Sequence, residues 1–212
     1  MKIALFGGSG GSGKYILKEL LKRNYQVKAL VRKADSLQEF NPNENLEILV
    51  GDALDSDIVQ KTIENCDAVI SAIGQKKDSP IDLVARSMKI IIETMQKLQI
   101  KRLICLTGAG VYLEGDTPTF MDNMITIMIK TVSPGRFNDG ENMVNEVMQS
   151  NLDWTIVRTQ LQQNKEKGGE EHIGMVGSKD QTWKCSRGFI ARFMVDNITN
   201  SDYVKKAPKI SD

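Results

Sequence analysis

The feature that most constrains the fold is a glycine-rich turn close to the start of the sequence. An apolar run, Ile3–Phe6, enters the turn at Gly7, and a helical pattern with apolar residues on one face follows Gly13. Glycine is the residue that lets a backbone turn tightly and approach a pyrophosphate closely. A helix after such a turn directs free N–H groups and its positive dipole end toward phosphates. The segment therefore predicts a strand, a phosphate loop and a helix that together bind a nucleotide.

Two nucleotide-binding motifs overlap in this turn. Gly7, Gly10 and Gly13 form a spacing variant of the dinucleotide fingerprint, whereas Gly8–Lys14 matches the start of an ATP- or GTP-binding P-loop. A P-loop needs Ser or Thr after its lysine to hold Mg²⁺, and this chain has Tyr15 there. No later predicted strand ends in an Asp suited to magnesium. We therefore favour a dinucleotide site and keep the P-loop as the minor alternative.

The second predicted strand, residues 26–31, indicates which dinucleotide is bound. It ends at Arg32 and Lys33, and Arg32 stands nineteen residues after Gly13. An NAD-specific fold places Asp or Glu near this point to hold the ribose 2′-hydroxyl. A guanidinium instead clamps a 2′-phosphate through two hydrogen bonds. We predict that NADP(H) is preferred to NAD(H); the alternative is that Arg32 and Lys33 only keep a strand end soluble.

The composition excludes several classes of function. A chain of 212 residues suffices for one domain with a substantial core, and its net charge of +1 gives no basic excess for nucleic acid. The cysteines, at positions 66, 105 and 185, lie too far apart for a disulfide framework or a metal cluster and fit a reducing cytoplasm. We find no charged-then-apolar leader and no apolar run near the roughly 18 residues of a membrane span. We therefore expect a cytoplasmic protein that binds no membrane.

His172 is the single histidine of the sequence. Histidine-rich metal sites are therefore excluded, and a Ser-His-Asp hydrolase would have to use this one residue. It lies in the polar segment 165–172, so we interpret it as a solvated loop residue.

Strand and helix patterns alternate along the chain, which is typical of an α/β domain with a parallel sheet. The predicted strands are 2–7, 26–31, 46–50, 67–72, 101–106 and 153–158, and the predicted helices are 12–23, 55–64, 80–98, 138–150 and 187–199. We predict a Rossmann-type doubly wound parallel sheet with helices on both faces, forming a single domain over residues 1–212. The nucleotide-binding part spans about 1–110 and a smaller substrate-cleft part about 111–212.

Four predicted strand ends point to one cleft, because ligands of such sheets lie across the carboxyl ends of the strands. Asp52 follows the third strand, where its carboxylate can reach an adenine amino group. Ala72, Ile73 and Gly74 follow the fourth strand and let the backbone approach a cofactor. Thr107 ends the fifth strand near the expected nicotinamide position, and Thr159 ends the sixth. Asp and Gly are also common turn residues, so each signal alone is weak.

Two further segments are candidates for the substrate site. Residues 119–129 are apolar and rich in methionine, which suits a soft lid over a flat aromatic substrate or, alternatively, a packed helix or an oligomer contact. Residues 160–185 are polar and contain glycine, so we expect a mobile segment that is either a substrate loop or a surface excursion.

Stretches distributed over the chain together resemble one known family. They are the glycine loop, Leu30–Arg32, Val50–Ala53, Asp67–Ile70 and Leu152–Arg158. These stretches are similar to the atypical short-chain dehydrogenase/reductases, and among them to the NmrA-like NAD(P)-binding proteins, which include small biliverdin and flavin reductases. The resemblance covers about residues 1–160, Ser186-Arg187 and the last helix.

The resemblance implies an NADPH-dependent reductase that acts on flavins, quinones or related conjugated acceptors. It implies cofactor contacts at Gly7, Ser9, Gly10, Ser12 and Gly13 (pyrophosphate), Arg32 (2′-phosphate), Asp52 and Ala53 (adenine), Gly74 and Gln75 (along the cofactor) and Thr107 (nicotinamide). Gly11 belongs to the same loop and is a further candidate contact. The resemblance also matches Asp139 to an acidic position at the head of the fifth helix.

The sequence departs from the family at the proton donor. None of its four tyrosines has a lysine four positions later, so the Tyr-x-x-x-Lys pair of classical members is absent. Gly140 stands where flavin reductases have histidine, and strand six ends Arg158-Thr159 in place of Arg-Pro. Carbonyl reduction needs a donor near the developing alkoxide, whereas a reduced flavin or quinone delocalises its charge and takes a proton from water. The departure therefore favours a conjugated acceptor.

We therefore predict a reductase that transfers hydride from NADPH to a small conjugated acceptor, with Thr107 as its candidate catalytic residue. The alternative is a non-catalytic NADP(H)-binding redox sensor that reports through a partner protein. An epimerase acting on a nucleotide sugar is a weaker third candidate, because little chain remains for a sugar-nucleotide domain. A homodimer or a protein partner is compatible with the sequence.

Overall fold

One central sheet of eight strands organises the structure, a computed structural model that describes residues 1–76 and 78–212. The strands are β1 (Lys2–Phe6), β2 (Gln26–Val31), β3 (Leu46–Val50), β4 (Ala68–Ser71), β5 (Arg102–Gly108), β6 (Asp153–Thr159), β7 (Leu161–Gln163), β8 (His172–Gly174), β9 (Lys184–Ser186) and β10 (Lys209–Ser211). The sheet order is β3-β2-β1-β4-β5-β6-β10-β8, and β7 pairs with β9 in a separate small sheet. All pairs in the large sheet are parallel except β10 with β8.

Six α-helices surround the sheet. They are α1 (Gly11–Lys22), α2 (Ser56–Ile63), α3 (Leu83–Lys97), α4 (Phe120–Val132), α5 (Pro134–Gln149) and α6 (Arg187–Asp196), and a 3₁₀ helix covers Ala34–Phe40. The order of the first six strands reverses between β1 and β4, which is the switch point at which doubly wound sheets bind ligands.

The side chains of β1 point alternately to the two faces of the sheet, and each face packs against its own layer of helices. Ile3 and Leu5 are fully buried in a core that includes residues of α1 and α6. Ala4 and Phe6 point to the other face and are buried in a second core with residues of α2, α3 and α5. Strands buried on both faces read as continuous apolar runs, as this one does. The predicted doubly wound parallel sheet with helices on both faces is confirmed.

The six predicted strands are confirmed, but several boundaries differ. β5 continues to Gly108, and α6 ends at Asp196, short of the predicted 199. The helix predicted over 138–150 begins at Pro134, because proline is well tolerated at the first helical position. Pro134 and Gly135 are of the two residue types least favoured inside a helix, so the sequence pattern offered no reason to extend the helix to them.

A buried ion pair stabilises the edge of the sheet that contains β6, β10 and β8. Arg158 on β6 is fully buried and binds Asp116 through two bonds, Nη1–Oδ2 at 2.5 Å and Nη2–Oδ1 at 2.9 Å. Its Nε donates to the carbonyl oxygen of Ala207 at 2.7 Å, and Asp116 accepts from the backbone N–H of Val176 at 3.0 Å. The guanidinium therefore joins three segments that follow β5, β8 and α6.

The segment 160–185 contains more regular structure than its sequence indicates. It contributes β7, β8 and the start of β9, and His172 pairs with Ser211 in the sheet. The interpretation of His172 as a loop residue was therefore wrong. Strands of three residues are too short to leave an alternating pattern in a sequence.

The methionine-rich segment forms helix α4 with an apolar exposed face. Thr119 and Asp122 form a reciprocal capping box at its start, and Asp122 is buried. Its three methionines, at 121, 124 and 128, are 45%, 49% and 58% exposed. These methionines therefore do not pack into the core, and a lid, a packed helix and an oligomer contact all stay predictions.

Candidate active site

The glycine-rich turn brings three backbone segments into contact at the end of β1. Gly7 has a φ of +76°, and a Cβ there would lie 2.5 Å from the backbone of Ala72. A Cβ on Gly13 would overlap the carbonyl oxygen of Gly7, so α1 lies directly against the turn. The turn closes with a hydrogen bond from the N–H of Gly10 to the oxygen of Gly7 at 2.9 Å. The predicted geometry of a phosphate loop is present.

The start of α1 offers its backbone N–H groups to a ligand. Its N-cap is Gly10, no side chain caps the helix, and the first turn has no acidic residue. Such a helix end has unsatisfied donors and a positive partial charge, which together bind phosphate groups.

The lysine of the alternative P-loop motif points elsewhere. Lys14 pairs with Glu39 at 2.5 Å and does not line the cleft beside the loop. This contact agrees with the choice of a dinucleotide site made from the sequence.

Two connected chambers lie along the carboxyl ends of the strands. The outer chamber, about 110 Å³, lies between the loop and residues that follow β2, β3 and β4, including Arg32, Asp52 and Lys76. The inner chamber, about 450 Å³, lies between the start of α1, the end of β5 and α5, and Arg136 and Arg187 line it. Both share Gly10, Ala72, Ile73, Gly74 and Lys76. An elongated ligand can therefore extend from one chamber into the other across the phosphate loop.

Most of the predicted cofactor residues line this cleft. In the outer chamber these are Gly7, Ser9, Gly10, Arg32, Asp52, Ala53, Ala72, Ile73 and Gly74. In the inner chamber they are Gly10, Gly11, Ser12, Ala72, Ile73, Gly74, Gln75 and Thr107.

Three predicted cofactor residues lie outside both chambers. Gly13 packs on Gly7, and Lys33 is exposed at the start of the 3₁₀ helix. Thr159 is buried and accepts a hydrogen bond from Gln162 Nε2 at 3.0 Å. Gln162 lines the inner chamber and accepts from Ser12 Oγ at 2.7 Å, so Thr159 reaches the phosphate loop only through this side chain.

Arg187 is a functional candidate beyond those predicted from the sequence. Its guanidinium lies against Gly11, where a Cβ would come within 2.5 Å of the Cζ atom. Nη1 binds the side chain of Asn164, whereas Nε is buried and has no hydrogen-bond partner among the described residues. An unsatisfied cationic donor beside an open helix N-terminus fits a phosphate ligand. A local sequence motif could not predict this contact with the phosphate loop, because Arg187 lies 176 positions from Gly11 in the sequence.

Asp139 lines neither chamber and instead stabilises the packing of two helices. It is buried within α5 and accepts the backbone N–H groups of Val84 and Ala85 at 2.9 and 2.8 Å. It also accepts from Gln75 Nε2 at 2.5 Å. The carboxylate therefore caps the start of α3 from a neighbouring helix and fixes Gln75 at the rim of the inner chamber.

The inner chamber offers no conventional acid. Among its described lining residues none is Tyr, His, Asp or Glu. Tyr112 lies outside the chamber, and its hydroxyl bonds with Thr126 Oγ1 at 2.8 Å. Burial raises the pKa of this phenol, the hydrogen bond with Thr126 lowers it, and the charges of Asp122 and Asp116 raise it, so that the net shift is upward. The absence of a tyrosine proton donor stays a prediction from the sequence.

The three cysteines are all buried and free. Burial raises the pKa of Cys66 to about 11 and that of Cys105 to about 12, so these thiols stay protonated at neutral pH. A protonated thiol is a poor nucleophile and a poor metal ligand. The described residues include no group of three or more His, Cys, Asp or Glu side chains placed to hold a metal ion.

Comparison with known proteins identifies the family. A family model described as NAD(P)H-binding matches residues 7–201. The chain belongs to this NAD(P)H-binding family. Membership agrees with the glycine loop, the strand order and the two-chambered cleft, and the predicted class of cofactor is confirmed.

One relative is similar in sequence over most of the chain. This chain is 30% identical over 159 residues to the uncharacterized protein YwnB of Bacillus subtilis (strain 168), a match that covers 74% of this chain and 70% of YwnB.

Two solved structures have the same fold. A short-chain dehydrogenase/reductase from Veillonella parvula in complex with NADP has a TM-score of 0.83 at 16% identity and covers 100% of this chain and 94% of its own. ChuY, an anaerobilin reductase from Escherichia coli O157:H7, has a TM-score of 0.78 at 18% identity, with coverage of 100% and 97%.

The chain is thus a member of an NAD(P)H-binding family and has the same fold as solved short-chain dehydrogenase/reductases. In the part of the chain that the structure describes, no helix is both long and apolar enough to cross a membrane.

Proposed function

We propose that the protein is an NADPH-dependent reductase that passes a hydride to a flavin, a quinone or a similar conjugated acceptor. The observation that carries the proposal is the inner chamber, which adjoins the phosphate loop and lacks a conventional acid among its described residues. A chamber of this kind orients two flat partners for hydride transfer and leaves protonation to water.

The cofactor fits the cleft in one direction. The adenosine half belongs in the outer chamber, with the 2′-phosphate on Arg32 and the adenine near Asp52. The pyrophosphate belongs over the start of α1, where Arg187 brings a buried, unpartnered Nε. The nicotinamide half then lies in the inner chamber beside Thr107. When bound, NADPH supplies the hydride and the acceptor takes up both of its electrons.

The charges of the cleft support NADPH as the ligand. Among the described lining residues, Arg32, Lys76, Arg136 and Arg187 are cationic, whereas Asp52 is the one carboxylate. A protein of net charge +1 thus concentrates positive charge where the dinucleotide phosphates would lie. Such focusing raises the local concentration and the association rate of an anionic ligand.

The chain's own residues then act by binding and orientation. The backbone of Ala72–Gly74 lies along both chambers and can contact a flat ring without a bulky side chain between them. Thr107 lines the inner chamber from the end of β5 and presents a hydroxyl for holding the cofactor or relaying a proton. Thr107→Val is expected to lower turnover more than NADPH affinity; unchanged turnover would remove Thr107 from the mechanism.

The first test is NADPH oxidation by the purified protein, followed by absorbance with FMN, a small quinone or no acceptor. We expect oxidation that depends on the acceptor and that weakens in Arg32→Gln at subsaturating NADPH. Tight NADPH binding without turnover on any acceptor would contradict the proposal.

One observation favours a non-catalytic sensor as the second candidate. Helix α4 exposes Phe120, Met124, Ile127, Met128 and Val132, and its Ile129 lines a cavity that adjoins the inner chamber. A ligand in the cleft would therefore border a surface suited to a partner protein. A sensor would bind NADPH and NADP⁺ with different affinities and show no turnover.

A further inference from the structure

A further cavity of about 150 Å³ opens beside the inner chamber. We call it the annex. It shares Thr107, Gly108, Arg136 and Gly140 with the inner chamber, so the two spaces meet at the expected hydride-transfer position. Val111, Ile129 and Phe137 form its apolar wall.

The wall of the annex suits a flat ring. Phe137 and Val111 are 6% and 8% exposed, so the core holds both side chains in place. Gly110 and Gly140 leave room beside them, since a Cβ on Gly140 would come no closer than 3.7 Å to Thr107 Oγ1. Rigid apolar walls with few polar groups are typical of pockets for small conjugated molecules.

Arg136 is the one ionisable residue among the described residues that line the annex. Its side chain is exposed, and no carboxylate in the described part of the chain lies within salt-bridge distance of it. The nearest acids on its own helix are engaged elsewhere, because Asp139 caps α3 and Glu141 pairs with Lys130 at 3.9 Å. The first turn of α5, where Arg136 stands, has no acidic residue that would compensate its charge.

We infer that the annex binds the ring system of an acceptor that carries a carboxylate or a phosphate, and that Arg136 binds this anionic group. The inference rests on the proposed function and adds the chemical class of the acceptor. A guanidinium prefers carboxylate and phosphate groups because it meets their two oxygens with parallel N–H donors. Neutral acceptors of the same shape would use the ring pocket but leave Arg136 without a partner.

FMN and riboflavin test this inference, since they share one ring system and differ by a phosphate. In the NADP⁺-loaded protein, quenching of flavin fluorescence should show FMN bound more tightly than riboflavin. Arg136→Gln should lower the FMN affinity by about tenfold or more, the value of a charge-assisted hydrogen bond, and leave riboflavin affinity nearly unchanged. Arg136→Lys should retain part of the preference.

Two controls separate this effect from others. Lys22→Gln removes one positive charge at the far end of α1, where the side chain is 71% exposed, and should leave the FMN-to-riboflavin ratio unchanged. Gly140→Leu should block the mouth of the annex and weaken both flavins to a similar degree.

The binding measurements distinguish a failure of the proposed role of Arg136 from a failure of the proposed reductase activity. Equal binding of FMN and riboflavin, or equal losses in Arg136→Gln, would overturn the role of Arg136 and leave the reductase standing. If NADPH binds but neither flavin is bound or reduced, both the acceptor site and the proposed reductase are overturned for flavins.

Discussion

Gly13 in the first turn of α1 packs on the carbonyl oxygen of Gly7 so closely that a methyl group would overlap that oxygen. The contact joins two backbones, and neither can move away as a flexible side chain would. It sets the distance between the helix and β1, and so it fixes where the free N–H groups of α1 meet the cleft.

Gly13→Ala is expected to lower both stability and NADPH affinity. Alanine has the better helix propensity, by about 1 kcal/mol, but overpacking against a fixed backbone costs about 1–3 kcal/mol. Thermal unfolding and NADPH titration measure the two effects. Gly74→Ala is the matched control for stability, because a Cβ on Gly74 meets nothing within 4 Å. A Gly13→Ala protein as stable as the parent would contradict the packing argument.

Arg32→Gln is expected to weaken NADPH binding while NADH binding stays nearly unchanged. The loss should be about tenfold to a hundredfold, because the guanidinium meets a charged phosphate in one cofactor and a hydroxyl in the other. Comparison of the two dissociation constants measures it. Lys33→Gln removes the same charge one position along, outside both chambers, and should change neither constant appreciably. Comparable NADPH and NADH affinities in the parent protein would refute the preference.

Arg187→Gln is expected to weaken NADPH and NADH by the same factor. The pyrophosphate is common to both cofactors, and one charged contact to it is worth about tenfold or more in affinity. Titration of both cofactors into the variant, with a thermal unfolding curve to detect a loss of stability, provides the measurement. A loss confined to NADPH would place Arg187 at the 2′-phosphate and contradict the proposed direction of the cofactor.

Asp122→Asn is expected to lower the free energy of unfolding at neutral pH and to make it depend less on pH in the acidic range. Burial alone would raise the pKa of the Asp122 carboxyl, but hydrogen bonds from Thr119, the charge of Lys209 at 3.5 Å and Gln160 together bring it below its ordinary 3.8. A lowered pKa stabilises the folded state above 3.8, and this stabilisation is lost as the pH falls through the folded value.

The experiment for Asp122 is urea unfolding at neutral pH and at a pH well below 3.8, where the folded carboxyl becomes protonated. The variant leaves Lys209 buried without its partner, so a loss of about 3 kcal/mol or more is expected at neutral pH. The difference between parent and variant should shrink in acid. A difference that is constant with pH would show that the ionisation of Asp122 contributes nothing.

The structure of the first 110 residues was largely predictable because short stretches of sequence determine it. The strands there are rich in apolar residues. Residues at their ends, such as Arg32, Asp52 and Thr107, lie together at the carboxyl edge of the parallel sheet. The glycine spacing also predicted a tight backbone turn, which the structure shows at Gly7. The alternation of strands and helices predicts a parallel sheet, but it does not predict the order of the strands.

The rest of the site could not be read in the same way. Arg187 and Arg136 reach the cleft from helices remote in sequence, and neither belongs to a motif that predicts a ligand. Asp139 matched an acidic family position, but its oxygens face the backbone of α3, and only the packing of two helices reveals this. Thr159 ends the correct strand with its side chain buried against Gln162. Direction of a side chain at a strand end depends on register and twist, which a short pattern does not specify.

The buried Arg158 determines how the remote edge of the sheet loses its structure. One guanidinium is bonded to Asp116 and Ala207, and Asp116 is in turn bonded to Val176, so no one of these segments can open alone without exposing a charge. The three segments should therefore exchange their amide hydrogens as one cooperative unit.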